Sequence, residues 1–170
     1  MVSQNFKTQT TELIDSLKGI CARFGLGNDG NEFKIITQVF LYKFMNDKFG
    51  YEVKELDPKL KKTDNWEELI SSYSDNEYKK LLARMSPDSA KLNREHYISY
   101  LFGKQDEEKF SSLFDNTLKE ISILNNDIFS VKTDTGAKVI LFDELSQFIT
   151  DSSKRDNFCK AIINRLVNFS

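Results

Sequence analysis

Few side chains in this sequence are of the types that carry out catalysis. His96 is the one histidine, and a histidine can act as a general base. It lies on a predicted helix beside Arg94 and Glu95, with no serine in a Gly-x-Ser-x-Gly motif to serve as its nucleophile. We therefore favour a partly buried structural histidine over a catalytic one. The chain itself is not expected to be an enzyme.

The cysteines also indicate structure rather than chemistry. Cys21 and Cys159 are the 2 cysteines of the chain, and their separation matches no metal-binding or redox motif. Each lies in an apolar pattern with helical spacing, which is typical of a buried free thiol. One histidine and two distant cysteines form no recognised ligand set, so we expect no metal site.

Two groups of basic residues could contact phosphates. The formal net charge of −2 gives no global attraction to DNA, so any such contact needs a local patch. One group lies in a polar connection and the other along the last predicted helix. A solvated surface is the alternative interpretation for both groups. The residues are Lys59, Lys61 and Lys62 in the first group, and Lys154, Arg155, Lys160 and Arg165 in the second.

The helix predicted over residues 31–50 must position the rest of the chain. Asn31 is a suitable N-cap, Gly50 is a suitable residue after a helix end, and neither Pro nor Gly lies between them. Apolar residues leave no side of this helix polar along its length, which is typical of a helix with neighbours on several sides. Charged residues interrupt the stretch too often for a membrane span.

Amphipathic helices are predicted to cover that central helix. One begins near Thr10, another after Asn65, another at Asn93, and a long one covers residues 105–126. Two β-prone runs, residues 128–133 and 137–141, flank Asp134-Thr135-Gly136 and predict a small hairpin near residues 129–141. The predicted fold class is mainly α: a compact helical bundle around a buried central helix, with one small hairpin.

The bulk composition is typical of a globular protein. It has 170 residues, 39% hydrophobic and 29% charged, which suits one globular domain with a real core. No signal peptide or membrane-length apolar run is visible in the sequence, so we expect a cytoplasmic protein. The last apolar helix stops at Ser170 without a polar tail, and we expect the native protein to continue beyond it.

Taken together, the order of these segments resembles a known family. The chain is similar over nearly its whole length to the N-terminal helical domain of the modification (M) subunit of type I restriction–modification DNA methyltransferases. The segments that carry the resemblance are 32–34, 39–44, 47–49, 92–102, 110–126, 127–133, 136–138, 154–156 and 166–169.

The resemblance implies a non-catalytic N-terminal domain of a larger enzyme. The parent would methylate adenine N6 in DNA with S-adenosylmethionine, in a complex with a specificity subunit and a restriction subunit, and a second copy of itself is a further candidate partner. Catalysis in that family needs a Gly-rich cofactor loop and an Asn/Asp-Pro-Pro-Phe/Tyr motif for the flipped adenine. Pro58 and Pro87 are the only prolines and are not adjacent, so no catalytic or cofactor-binding residue can be assigned here.

Two functions from different classes follow. The first is a domain for subunit assembly and DNA clamping, with the methyltransferase domain expected downstream. The alternative is a free-standing helical protein–protein interaction module or regulator without enzymatic activity. The sequence gives neither the DNA target nor the oligomeric state.

Overall fold

Helices make up most of the part of the chain that the computed structural model describes, residues 2–129 and 141–169. Three short 3₁₀ helices, at Arg94–His96, Leu145–Phe148 and Ser152–Lys154, join the longer elements. These ranges contain no strand, so the predicted mainly α class is confirmed. No helix within them has both the length and the apolar character required to cross a membrane. The α-helices are α1 (Val2–Arg23), α2 (Gly30–Leu56), α3 (Pro58–Lys61), α4 (Trp66–Ser71), α5 (Asp75–Ala83), α6 (Ile98–Gly103), α7 (Phe110–Leu124), α8 (Asn126–Phe129) and α9 (Arg155–Val167).

The helix predicted over residues 31–50 is α2, but both of its ends differ from the prediction. Its N-cap is Asp29, whose carboxylate accepts a hydrogen bond from the backbone N–H of Asn31 at 2.8 Å. At the other end the helix continues through Gly50 to Leu56. Gly50 is buried, and a Cβ at this position would lie 2.6 Å from the Trp66 ring. Glycine is therefore explained here by the close approach of α4, and not by a helix end.

Other helix boundaries also differ from the sequence prediction. The first helix begins at Val2 rather than near Thr10. The helix predicted from Asn93 is divided into a 3₁₀ turn and α6, while the long helix predicted from residue 105 begins at Phe110. By contrast, Asn65 does cap α4, since its side chain accepts a hydrogen bond from Glu68 N.

The predicted hairpin falls largely outside the described residues. Positions 130–140, which include the turn Asp134-Thr135-Gly136, are not among them. Ile128 and Phe129, which were predicted to open its first strand, belong to α8 instead. A run of β-prone residues here continues helical structure because Asn125 N–H bonds back to Ile121 and Phe129 N–H bonds back to Asn125.

The last helix, α9, also has packed neighbours on several sides. It contacts α1, α6 and α7, and Phe158 at its start meets Phe24 edge to face with ring centroids 5.4 Å apart. The first and last helices of the chain are thereby joined. Burial of α9 is complete along one side, through Phe158, Cys159, Ile162, Ile163 and Leu166. The α2 helix contacts α1, α3 and α4 and is hydrogen-bonded to His96 and Ile98, yet part of its surface is exposed through Phe33, Phe44 and Tyr51.

Candidate interaction site

A row of aromatic side chains on α2 is the uncovered part of that helix. Phe33, Phe44 and Tyr51 are 76%, 57% and 67% exposed, and Phe40 between them is half-buried. At 3.6 residues per turn these four positions fall within about 40° of one another around the helix. We call Phe33, Phe40, Phe44 and Tyr51 the aromatic stripe. The predicted helix with neighbours on several sides is confirmed as α2, although this line of side chains is uncovered.

Polar anchors on the opposite face hold the aromatic stripe outward. The Tyr42 hydroxyl is fully buried and donates to the His96 carbonyl at 2.6 Å. One turn later the Asn46 side-chain oxygen accepts a hydrogen bond from the backbone N–H of Ile98 at 3.0 Å. Both bonds are directional, so they fix the rotation of α2 about its own axis.

The aromatic stripe is bordered by a different neighbour at each end. Near Phe33 and Phe40, α1 forms one wall of a groove of about 690 Å³ through Thr10 and Ile14. Near Phe44, α8 forms a wall of a smaller groove of about 150 Å³ through Phe129. Ile36 and Glu32 lie on the α1 side, whereas Leu41, Lys48 and Glu52 lie on the α8 side. On the helical projection these two sets are opposite flanks of the stripe.

The first basic group, Lys59, Lys61 and Lys62, lies at α3. This short helix forms because Asp57 caps it and Pro58 occupies its first position. Lys61 is paired with Glu55 at 2.9 Å, a hydrogen bond that raises the pKa of the lysine. Lys59 and Lys62 are exposed and form no ion pair with a residue in ranges 2–129 and 141–169.

The second basic group is largely engaged by the protein. Lys154 lies 3.9 Å from Asp151, and Lys160 pairs with Asp106. Arg155 donates from Nε to the Ile149 carbonyl at 2.9 Å. These bonds hold the loop before α9 and the turn after α6 against α9, so the three cations have structural partners.

Arg165, the last member of that group, is different. Its Nε is buried and has no hydrogen-bond partner among the described residues. The side chain lines a groove of about 770 Å³ between α9 and α1, together with Arg23. Both arginines lie in the last turn of their helices, where a positive charge stabilises the negative end of the helix dipole. The helix dipoles therefore account for the positions of Arg23 and Arg165 without a bound anion.

His96 has the structural role that the sequence favoured. It is 1% exposed, and its Nδ1 accepts a hydrogen bond from the backbone N–H of Asn93 at 3.1 Å. An accepting Nδ1 carries no proton, so Nε2 is the protonated nitrogen and donates to Glu120 at 3.0 Å. Both ring nitrogens are thus hydrogen-bonded within the protein, which holds the imidazole in place.

Asp115 and the two cysteines are further buried titratable groups. Burial raises the pKa of the Asp115 carboxyl, which accepts hydrogen bonds from Ser146 N at 3.0 Å and from the Ser146 hydroxyl. Burial also raises the pKa of Cys21 to about 11 and that of Cys159 well above the ordinary thiol value, which makes both thiols poor nucleophiles. Within the described ranges no three His, Cys, Asp or Glu side chains are placed to hold a metal ion. Both cysteines are buried and free, as predicted.

The aromatic stripe is thus the feature that sequence reasoning missed, because it counted Phe33, Phe40 and Phe44 as core and ended the helix before Tyr51. A usable signal was present: the buried residues Ile35, Val39, Tyr42, Met45 and Phe49 already form a complete apolar face of α2. A second aromatic row on the other side of the same helix exceeds what one core needs. Comparison with known proteins gives no further assignment, since no family model, curated protein or solved structure matches the chain.

Proposed function

We propose that this chain is a non-catalytic assembly domain, the N-terminal part of a type I modification methyltransferase subunit. The aromatic stripe carries the proposal. Three aromatic side chains that are more than half exposed offer about 400 Å² of apolar surface in one line, which is within the size range of functional patches on soluble proteins. The resemblance of the ordered helical segments supports the identity of the parent enzyme.

The division of labour in the proposed parent follows from what the side chains do here. His96, Cys21, Cys159 and Asp115 are all engaged in the fold. In that parent, adenine methylation with S-adenosylmethionine would be carried out by a separate catalytic domain. The specificity subunit would read the DNA sequence, the restriction subunit would add cleavage, and the complex would work on DNA in the cytoplasm.

The experiment for this proposal uses the complete gene product and the subunits encoded beside it. Phe44→Asp places a charge on the aromatic stripe and should reduce recovery of the assembled complex at least tenfold. Ile123→Asp is the matched control, because Ile123 is 64% exposed on α7 and lines neither of the two grooves beside the stripe. If both variants assemble with the same yield as the wild type, the aromatic stripe is not an assembly surface and this proposal loses its support.

The alternative, a free-standing interaction module or regulator, is supported by the same stripe. The reading frame beyond codon 170 separates the two. A cofactor loop and a Pro-Pro motif downstream establish the methyltransferase parent, whereas a natural stop codon directly after Ser170 favours the module.

DNA clamping is a second proposed role, and Lys59 and Lys62 support it because their ammonium groups are exposed and unpaired within the described part of the chain. Each lysine that contacts a phosphate adds about 1 to the slope of log affinity against log salt. In the full complex, Lys59→Glu/Lys62→Glu should lower that slope by about 2. Lys79→Glu/Lys80→Glu, on exposed positions of α5, is the control that should leave the slope unchanged. An unchanged slope in both variants would exclude the α3 lysines from DNA contact.

A further inference from the structure

The spacing of the aromatic stripe has a symmetry of its own. Its members follow one another at intervals of 7, 4 and 7 residues along α2. The sequence of intervals is the same in both directions, with its midpoint at position 42. A helix that carries such a row presents the same pattern to a partner helix that runs the opposite way.

We infer that the aromatic stripe binds the same stripe of a second copy of this chain. The two α2 helices would pack antiparallel about a two-fold axis near position 42, with Phe33 opposite Tyr51 and Phe40 opposite Phe44 of the second copy. Such an interface is isologous, because each surface patch meets its own equivalent. This inference rests on the assembly role proposed above and specifies the partner.

The apolar area suits a reversible dimer. The exposed fractions of Phe33, Phe44 and Tyr51 sum to about two whole aromatic side chains, or about 400 Å² per copy. A standard interface buries about 800 Å² per partner, so the stripe supplies about half. The remaining interface area would come from the groove walls beside the stripe, which α1 and α8 form.

The placement of those walls is compatible with antiparallel packing. The α1 wall borders the N-terminal half of α2 on one flank, and the α8 wall borders its C-terminal half on the other. A two-fold axis perpendicular to α2 brings equal flanks together with opposite ends. Each of these two walls therefore faces a flank of the second copy that the other wall does not border, and the two copies can approach without α1 meeting α8.

Charges at the ends of the stripe agree with this arrangement. Asp29 precedes α2 and Lys54 lies in its last turn, on the same flank of the stripe. Their positions sum to 83, close to the 84 that a two-fold axis at position 42 requires, so Asp29 faces Lys54 of the second copy. Neither residue forms an ion pair within the described ranges.

Self-association is tested on the purified 170-residue chain by sedimentation velocity over a range of about 1 to 300 μM, where interfaces with few strong anchors dissociate. The wild type should shift from monomer to dimer across this range. Phe44→Asp should weaken association at least tenfold, while Ile123→Asp should match the wild type. A wild-type chain that stays monomeric throughout, or a Phe44→Asp variant that dimerises normally, would overturn the inference. Circular dichroism of each variant confirms that it is folded.

The direction of packing is tested separately by cross-linking. Two equivalent copies of position 33 are about 27 Å apart in the antiparallel pair, since 18 residues separate positions 33 and 51 and each adds 1.5 Å. A mixture of Phe33→Cys and Tyr51→Cys chains should therefore be joined by a short bis-maleimide, and Phe33→Cys chains by themselves should not. Cross-linking of Phe33→Cys to itself as efficiently as to Tyr51→Cys would contradict the antiparallel register.

These measurements also separate the inference from the proposed function. If the chain is monomeric but the full gene product still requires Phe44 to assemble with its neighbouring subunits, the stripe is an assembly surface for a different partner. If the chain dimerises and the reading frame ends at codon 170, the self-association stands and the methyltransferase parent is excluded.

Discussion

Gly50 offers a direct test of the packing between α2 and α4. Substitution by alanine adds one methyl group in the interior of a helix, at a point where a Cβ would lie 2.6 Å from Cζ2 and 2.7 Å from Cε2 of Trp66. The indole cannot easily retreat. It packs against Tyr97 with ring centroids 5.2 Å apart and against Phe49 at 6.1 Å.

Two opposing effects set the magnitude. Alanine is favoured over glycine inside a helix by about 1 kcal/mol, while overpacking a core site costs about 1–3 kcal/mol. Because the clash is with a ring held by two aromatic neighbours, we expect a cost at the upper end and a net destabilisation of about 2 kcal/mol. For a domain of this size that corresponds to a decrease in Tm of about 4–8 °C.

The assay is thermal and urea unfolding followed by circular dichroism, with Gly19→Ala as the matched control. Gly19 lies inside α1, and a Cβ there would meet nothing within 4 Å. The helix preference acts unopposed at this position, so Gly19→Ala should stabilise the protein by up to about 1 kcal/mol. The same substitution is thus expected to have opposite signs at the two sites.

A double-mutant cycle identifies Trp66 as the cause. Trp66→Phe removes the indole atoms nearest to position 50, so Gly50→Ala should cost at least about 1 kcal/mol less in that background than in the wild type. If Gly50→Ala is as stable as the wild type, or its cost is the same with Phe at position 66, the indole does not lie against α2 at Gly50 and the reasoning is wrong.

Three further predictions concern polar groups and thiols. Tyr42→Phe leaves the buried His96 carbonyl without its donor and should lower the free energy of unfolding by about 1–2 kcal/mol, measured by urea denaturation. The hydrogen bond from Tyr73 lowers the pKa of Asp57 below its ordinary value of 3.8. As the pH falls below about 3.8, Asp57 is therefore protonated first in the unfolded chain, and the stability that its carboxylate provides is lost. Asp57→Asn should be less stable than the wild type at pH 7, and this difference in the free energy of unfolding should disappear in acid; a difference that does not change with pH would disprove the linkage. Cys159 should resist iodoacetamide in the native state and react on unfolding, as followed by mass spectrometry, because burial raises the pKa of its thiol.

Local signals in the sequence were sufficient for many of the helices. Asn65 was expected to begin a helix and does, because its side chain satisfies a free backbone N–H of the first turn. Such signals act within a few residues, so they can be recognised without the fold.

Features that depend on distant residues could not be predicted in this way. A glycine that ends a helix and a glycine that admits a neighbouring ring are the same letter, so Gly50 needed Trp66 for its interpretation. The sequence located Lys61 and Lys160, but their partners Glu55 and Asp106 are apparent in three dimensions only. The hydrophobicity of the residues likewise does not distinguish Tyr42, which is buried in the core, from Phe44, which is exposed on the aromatic stripe.

The contact of α9 with α1, α6 and α7 has a consequence for biosynthesis. A ribosome releases α1 first, yet the surface against which Phe24 packs becomes available after Phe158 has left the exit tunnel. Until then α9 cannot cover the apolar side of α1. The chain must close a loop across most of the domain before α1 and α9 can bury apolar surface against each other. We therefore expect the nascent chain to acquire protection from protease in one late step, when α9 emerges, rather than helix by helix.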